Sequence, residues 1–147
     1  MGEFMSMCVC IWRGAVTPAS FERQRSALAE VVDLHPGGAG FLCIIEATAT
    51  PPNDALRRAS VEMLASHGNR LKCVGCTIEG TGFKAAVTRS VLSGMALVFA
   101  NRKTPVSFFA NVSDTVAWMS DWLPRGATVN AVAAVAELRR SVPTLRE

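Results

Sequence analysis

The fold is decided by residues 72–94, KCVGCTIEGTGFKAAVTRSVLSG, in which a strand pattern, a glycine turn and a helix pattern follow one another. Val74, Cys76 and Ile78 recur at period two, so they share one face of a strand, and the residues between them share the other. From Phe83 the apolar spacing becomes helical. Strand, tight turn and helix form the repeating unit of an α/β domain.

The same alternation of strand and helix patterns extends over the rest of the chain. It predicts a mostly parallel sheet of four or five strands, flanked by helices through right-handed crossovers, with an extra C-terminal helix. The other strands are predicted at 7–12, 41–47 and 106–110, and the other helices are predicted to begin at Thr17-Pro18, at Asn53 or Asp54, at Ser113-Asp114 and at Val129.

These elements divide the chain into three segments. Residues 1–6 are expected to be a tag remnant or a disordered N-terminus. Residues 7–124 are expected to form the α/β domain, and residues 125–147 a C-terminal amphipathic helix and tail.

Composition limits the class of protein. Half of the 147 residues are apolar and 18% are charged, so a core without disulfide staples is expected and disorder is not. The net charge of +3 is too small, and the basic residues too scattered, to predict a nucleic-acid surface. Five cysteines, an odd number, favour a reducing compartment, so a cytoplasmic protein is expected. No apolar run approaches the roughly 20 residues of a membrane helix, and no membrane association is predicted.

Two polar segments are expected at the carboxyl edge of the sheet, where the ligand and partner sites of parallel sheets cluster. They are residues 46–54 and 79–83. We expect Glu46 to be a carboxylate that emerges at the sheet edge rather than a catalytic group. Gly80-Thr81-Gly82 is interpreted as a structural turn, because a lone Gly-X-Gly is a weak phosphate-binding signal. No enzyme and no cofactor are predicted.

Cys8, Cys10, Cys73 and Cys76 supply as many thiols as a tetrahedral zinc site needs. Strand alternation, however, directs Cys73 and Cys76 to opposite faces of their strand. A Cys-X-Cys pair within an apolar strand is a common way to pack small hydrophobic side chains. No metal site is therefore predicted.

Residues 41–122 resemble the STAS domain of anti-sigma-factor antagonists, which has the SpoIIAA-like fold. The resemblance consists of an apolar strand (FLCIIEAT), a loop that opens a helix (TPPNDALRRASVEMLASHGNRL), a small-residue strand (KCVGCTIEG) and a helix that ends in VLSGM. A final strand (VSFFA) precedes a helix that contains DTVAW. The resemblance implies a STAS-like α/β fold and a non-catalytic bacterial regulatory or scaffolding module that binds a protein partner.

The start of the second helix departs from the phospho-regulated members of that family. Their regulatory serine lies in an Asp-Ser-Ser-Gly turn, where this chain has Pro51-Pro52-Asn53-Asp54. We therefore expect binding without the serine phospho-switch, with Asp54 as a helix cap or fixed negative charge and Thr50 as the phosphoacceptor candidate. The partner-binding residues that the resemblance implies are Thr48, Thr50, Asn53, Asp54, Arg57, Arg58, Glu79, Gly80, Thr81, Gly82 and Phe83.

A second hypothesis comes from a different class of function, a domain that binds a small-molecule or lipid-like ligand. Its pocket would be lined by aromatic side chains, with Glu46 or Glu79 as the polar anchor. Those side chains, which also suit a core, are Phe83, Phe108, Phe109 and Trp118. The apolar faces of the last helices suit either packing against the sheet or a homodimer.

Overall fold

The computed structural model describes residues 2–4, 6–50, 52–80, 86, 89–90 and 104–141. The strands are β1 (Gly2–Phe4), β2 (Met7–Trp12), β3 (Ala39–Ile45), β4 (Leu71–Ile78) and β5 (Val106–Phe109). The helices are α1 (Pro18–Leu34), α2 (Asp54–Ala65), α3 (Val112–Met119) and α4 (Ala131–Ser141), with a short 3₁₀ turn at Gly68–Arg70. Of the helix predicted from Phe83, residues 86, 89 and 90 are described and are helical, whereas the rest of that helix and the segment 96–100 lie outside the described residues.

The five strands form one sheet in the order β1-β2-β3-β4-β5. Strands β2 to β5 are all parallel, which confirms the predicted α/β class, and β1 pairs antiparallel with β2. Gly2–Phe4 forms a strand, within the segment 1–6 for which the sequence predicts a tag remnant or a disordered N-terminus. This segment is extended because its backbone joins the free edge of β2.

Within the described residues, each face of the sheet is covered by two helices. One core cluster joins the sheet to Leu28 of α1 and Met63 of α2, and the other joins the opposite face to Met119 of α3 and Val135 of α4. Every residue of β3 is buried, as its unbroken apolar sequence predicts for a central strand. The alternation predicted for β4 is also confirmed, because Val74, Cys76 and Ile78 belong to the α1/α2 side and Cys73 to the α3/α4 side.

Side chains at the helix starts explain where the helices begin. The Thr17 hydroxyl accepts a hydrogen bond from the Ser20 amide (3.1 Å), and the Asn53 side chain accepts one from the Leu56 amide (2.8 Å). The predicted cap of α3 at Ser113-Asp114 is wrong, because Asn111 caps this helix by accepting from the Asp114 amide (2.8 Å). The chain therefore enters α3 almost directly from β5.

Strand β4 and helix α3 approach each other closely because Gly75 has no side chain. A Cβ at Gly75 would lie 2.7 Å from Thr115 Cγ2 and 2.8 Å from Met119 Sδ. Beside this contact, a 2.6 Å hydrogen bond joins the fully buried hydroxyls of Thr77 and Thr115. Thr77 is the donor, since the Thr115 hydroxyl donates to the Asn111 carbonyl oxygen (2.8 Å).

Substitution Gly75→Ala is expected to lower the free energy of unfolding by about 1–3 kcal/mol, because the added methyl group forces α3 away from β4. Urea denaturation measures this loss. Gly37→Ala is the matched control, since a Cβ there meets no atom within 4 Å. Equal stability of the two variants would contradict the close approach of α3 to β4.

In the described part of the chain, no helix combines the length and the apolar character needed to cross a membrane.

Candidate functional site

Four charged side chains meet at the carboxyl edge of the parallel strands, and we call them the edge network: Arg13, Glu46, Glu79 and Arg139. Arg13, Glu46 and Glu79 each follow directly after a strand, so the parallel topology brings them to the same edge. The backbone amide of Glu46 donates to the Trp12 carbonyl (3.1 Å) and that of Glu79 to the Ile45 carbonyl (2.9 Å), which extends the strand ladder by one residue. Arg139 reaches the edge from the last turns of α4.

The two arginines occupy every carboxylate oxygen of the edge network. Arg139 binds Glu79 through two parallel hydrogen bonds, Nη1–Oε2 (3.0 Å) and Nη2–Oε1 (2.5 Å). Its Nη2 also lies 3.1 Å from Glu46 Oε1, and Arg13 Nε donates to Glu46 Oε2 (2.7 Å). Arg13 Nη2 further donates to the backbone carbonyl oxygen of Arg139 (3.2 Å). The network therefore ties the ends of β2, β3 and β4 to helix α4.

The electrostatics of the edge network favour a structural role. Two positive and two negative groups balance within it, and the Glu46 side chain is only 15% exposed. The hydrogen bonds that Arg139 donates to the Glu79 carboxylate raise the pKa of Arg139, although burial acts in the opposite direction. Both carboxylates are held as hydrogen-bond acceptors, and neither has the free oxygen that a general base would use.

Replacing Arg139 by Met is expected to lower the free energy of unfolding by about 1–2 kcal/mol, because the carboxylates of Glu46 and Glu79 lose a shared cation. This expected loss is smaller than the ~3–5 kcal/mol that breaking a fully buried salt bridge costs. The reason is that the Arg139 side chain is 28% exposed, so solvent screens its ion pairs. Met retains most of the aliphatic stem. Chemical denaturation provides the measurement.

The neighbouring substitution Arg140→Met serves as the control. Arg140 is 70% exposed and pairs with Glu137 on the helix surface (2.9 Å), so its loss should change the free energy of unfolding by no more than about 0.5 kcal/mol. Similar losses for both variants would show that Arg139 does not hold the sheet edge.

The predicted partner-binding residues at the start of α2 are mostly exposed. Thr48, Thr50, Asn53, Asp54 and Arg58 face solvent, and Arg57, which is half-buried, forms an ion pair with Asp54. The backbone beneath them is fixed by hydrogen bonds from the Thr50 amide to the Gly14 carbonyl (2.8 Å) and from the Ala49 amide to the Glu46 carbonyl (2.9 Å). The loop is thus fixed at its base by these two hydrogen bonds, with its polar side chains facing solvent.

The second predicted segment lies beside this loop. Gly80 has a φ of +95°, and a Cβ built there would lie 2.8 Å from the Ala47 Cβ, so the two segments touch at these residues. The Gly80 carbonyl accepts a hydrogen bond from Arg89 (3.1 Å). The structure therefore brings Ala47, at the start of the first segment, into contact with Gly80 of the second, whereas Thr81, Gly82 and Phe83 lie outside the described residues.

Three of the cysteines form a row across the sheet. Cys10, Cys43 and Cys76 occupy the same register position on β2, β3 and β4, facing α1 and α2. Hydrogen bonds with Cys10 and Cys76, together with burial, raise the pKa of the Cys43 thiol. Burial raises the pKa of Cys73, on the other face, to about 12. The thiols of Cys43 and Cys73 are therefore held in their neutral, unreactive form.

The thiol row does not form a metal centre. Within the described ranges, no group of three or more Cys, His, Asp or Glu side chains has the geometry to hold a metal ion. Cys43 was absent from the four thiols considered from the sequence. Aligning the predicted strands in parallel register would have placed it between Cys10 and Cys76.

Of the aromatic residues of the small-molecule hypothesis, the structure brings Phe109 and Trp118 together and places Phe108 on the opposite face of the sheet. Phe108 packs with the cluster on the α1/α2 side of the sheet. Phe109 contacts Trp118 of α3 on the other side, with ring centroids 5.9 Å apart. Phe83 lies outside the described residues, and the proposed anchors Glu46 and Glu79 are bound by arginines.

Comparison with protein-family models, curated proteins and solved structures gives no match to this chain. The STAS resemblance of residues 41–122 therefore stays a prediction.

Proposed function

We propose that the protein is a non-catalytic regulatory or scaffolding module that binds a protein partner through its STAS-like carboxyl edge. The binding surface consists of residues 48–58 together with Glu79 and Gly80, and we call it the edge surface. The observation that carries the proposal is the contact between Ala47 and Gly80, which joins the two segments into one exposed polar surface. Bacterial signalling in the cytoplasm is the setting that the resemblance implies.

The rigidity of the edge surface supports protein binding. Its loop is fixed at its base by backbone hydrogen bonds, and its neighbour Glu79 is fixed by the edge network. A surface that is already ordered loses little conformational entropy when a partner docks. Arg58, at the end of the edge surface, is exposed. Arginine is enriched among the residues that dominate binding energy at protein interfaces.

The chemistry of the edge network supports a role without catalysis. Each oxygen of Glu46 and Glu79 accepts a hydrogen bond or an ion-pair contact from an arginine. Carboxylates paired in this way fix helix α4 to the sheet edge. The fixed helix and sheet edge both contribute to the stability of the edge surface. Partner binding then uses the exposed groups beside the network rather than the network itself.

We further propose that binding does not need the serine phospho-switch. Asp54, 72% exposed in the first turn of α2, supplies a permanent negative charge where the helix dipole favours one. Its ion pair with Arg57 offsets part of that charge and holds the carboxylate on the helix surface. The exposed Thr50 is the candidate phosphoacceptor at this surface.

The double substitution Asp54→Ala with Arg58→Ala should weaken partner binding about tenfold or more, because two exposed charges of the edge surface are removed. The partner is first identified by native mass spectrometry of the complex purified from the protein's own source. Its affinity for each purified variant is then measured by calorimetry.

A matched control removes an acid–base pair from another helix surface. Glu22 and Arg25 form an exposed pair on α1 (3.7 Å), and Glu22→Ala with Arg25→Ala should leave the affinity unchanged. Unchanged affinity of the Asp54/Arg58 variant, at unchanged thermal stability, would refute the proposed surface. The same native mass spectrum reports whether the protein carries a second copy of itself or a small-molecule increment.

A further inference from the structure

Three aromatic side chains form a row where helix α3 lies beside strand β5, and we call them the aromatic row: Phe109, Trp118 and Trp122. The ring centroids of Phe109 and Trp118 are 5.9 Å apart, and those of Trp118 and Trp122 are 6.1 Å apart. The two tryptophans are four residues apart, so they lie on one side of the helix and of the turn that follows it. Within the described residues β5 is the last strand of the sheet, so the row follows one border of the sheet.

The outer end of the aromatic row is open to solvent. Trp122 is 48% exposed and Trp118 is partly exposed. Neither indole N–H donates a hydrogen bond within the described part of the chain. By contrast, Trp12 Nε1 donates to Gln24 Oε1 (3.1 Å) on the opposite face of the sheet. An exposed indole offers a large apolar contact together with a donor, a combination that is enriched at binding hot spots.

The rings of the aromatic row are tilted, so the surface that they form is ridged rather than flat. The interplanar angles are 47° between Phe109 and Trp118 and 53° between Trp118 and Trp122. A flat aromatic platform would suit a stacked nucleobase or sugar ring. A ridged aromatic surface suits instead the polyproline II helix, which docks into aromatic-lined grooves. Because that helix is formed before binding, it loses little conformational entropy when it docks.

Two aspartates flank the aromatic row on the exposed side of α3. Asp114 and Asp121 lie four residues before and three residues after Trp118, so all three share one side of the helix. Both carboxylates are exposed, and neither forms an ion pair with the described part of the chain. The nearest cation along the chain, Arg125, instead lines a surface cavity at the end of α1. Among the described residues, the charge beside the rings is therefore negative.

The spacing of the two carboxylates matches the repeat of a polyproline II helix. Asp121 lies in the turn that continues α3, since its amide donates to the Trp118 carbonyl (3.2 Å). Seven residues along a helix span about 10 Å. Three residues of polyproline II span about 9 Å, and side chains three residues apart project from the same side. Cationic side chains at every third position of such a ligand can therefore reach Asp114 and Asp121 together, while the intervening prolines contact the indoles.

We propose that the aromatic row and its two aspartates bind a basic, proline-rich segment of a partner protein in the polyproline II conformation. The prolines pack on Trp118 and Trp122, an indole N–H donates to a backbone carbonyl of the segment, and cationic side chains pair with the two carboxylates. This site shares no residue with the edge surface, and α3 lies on the opposite face of the sheet from α2. It therefore adds a second kind of partner to the proposed function.

Titration of the isotope-labelled protein with a nonapeptide of three Pro-Pro-Arg repeats, followed by NMR, tests the proposal. We expect saturable shifts of the Trp118 and Trp122 indole N–H signals, whereas the signal of Trp12, which is paired with Gln24, stays unchanged. Nonapeptides of Gly-Gly-Arg and of Pro-Pro-Glu repeats should each bind at least about fivefold more weakly, because the first lacks the prolines and the second lacks the positive charge.

Two outcomes of this titration would overturn the proposal. One is the absence of saturable indole shifts with the Pro-Pro-Arg peptide, and the other is a control peptide that binds as tightly. Saturable binding of maltohexaose without binding of the Pro-Pro-Arg peptide would show a carbohydrate site instead.

Substitution Trp122→Ala should weaken binding of the Pro-Pro-Arg peptide about tenfold or more, because the most exposed ring of the aromatic row is removed. Leu34→Ala is the matched control, since Leu34 is an apolar side chain that is 59% exposed at the end of α1, and its loss should leave the affinity unchanged. Urea denaturation verifies that both variants are folded. Unchanged affinity of a folded Trp122→Ala variant would refute the role of the aromatic row.

Substitution Asp121→Asn should weaken binding of the same peptide about two- to threefold, and the difference should shrink as salt is added, because an exposed charge pair is lost. Asp33→Asn removes a carboxylate that is 71% exposed on α1, and it should leave the affinity unchanged. Equal affinities of these two variants would contradict the assigned charge pairing.

The Asp54→Ala/Arg58→Ala variant should bind the Pro-Pro-Arg peptide normally, so failure of this inference is distinguishable from failure of the proposed function. Loss of peptide binding in that variant would contradict a site localised on α3.

Discussion

The close approach of α3 to β4 is the constraint on which the rest of the structure depends. The missing side chain at Gly75 lets Thr115 and Met119 sit directly on the strand. At Gly40 of the neighbouring strand β3, a Cβ would lie 3.0 Å from both Met119 and Leu123. The close contact with the sheet therefore extends beyond the end of α3, as far as Leu123. The paired hydroxyls of Thr77 and Thr115 satisfy the polar atoms that this contact buries.

The position of α3 determines which parts of the following chain lie at the amino edge and at the carboxyl edge of the sheet. After Leu123 the chain turns through residues 124–127, which form one wall of a surface cavity at the amino edge. It then enters α4, whose last turns bring Arg139 to the carboxyl edge. One edge is therefore closed by compensated charges, and the other is bordered by the connection between α3 and α4.

Patterns within single elements were sufficient to predict the sheet. Period-two alternation identified β2 and β4 and the faces of their side chains, and the unbroken apolar run identified β3 as central. The adjacency of the two polar edge segments followed from parallel topology, because consecutive strands present their carboxyl ends together.

Contacts between distant elements could not be predicted in the same way. Arg139 lies 60 positions from Glu79, and its pattern on α4 is only that of a polar helix face. The aromatic row depends on how α3 packs beside β5, which no local periodicity encodes. Strand β1 forms because an edge was available to it, and its own sequence carries little strand signal.

The most direct test of this account is a double-mutant cycle between Gly75→Ala and Thr115→Ser, measured by urea denaturation. Serine keeps the hydroxyl that pairs with Thr77 but removes the Cγ2 methyl group that a Cβ at position 75 would meet. The account predicts that Gly75→Ala costs less stability in the Thr115→Ser background, with a coupling of about 0.5 kcal/mol or more. Strictly additive losses would contradict the claim that this contact sets the position of α3.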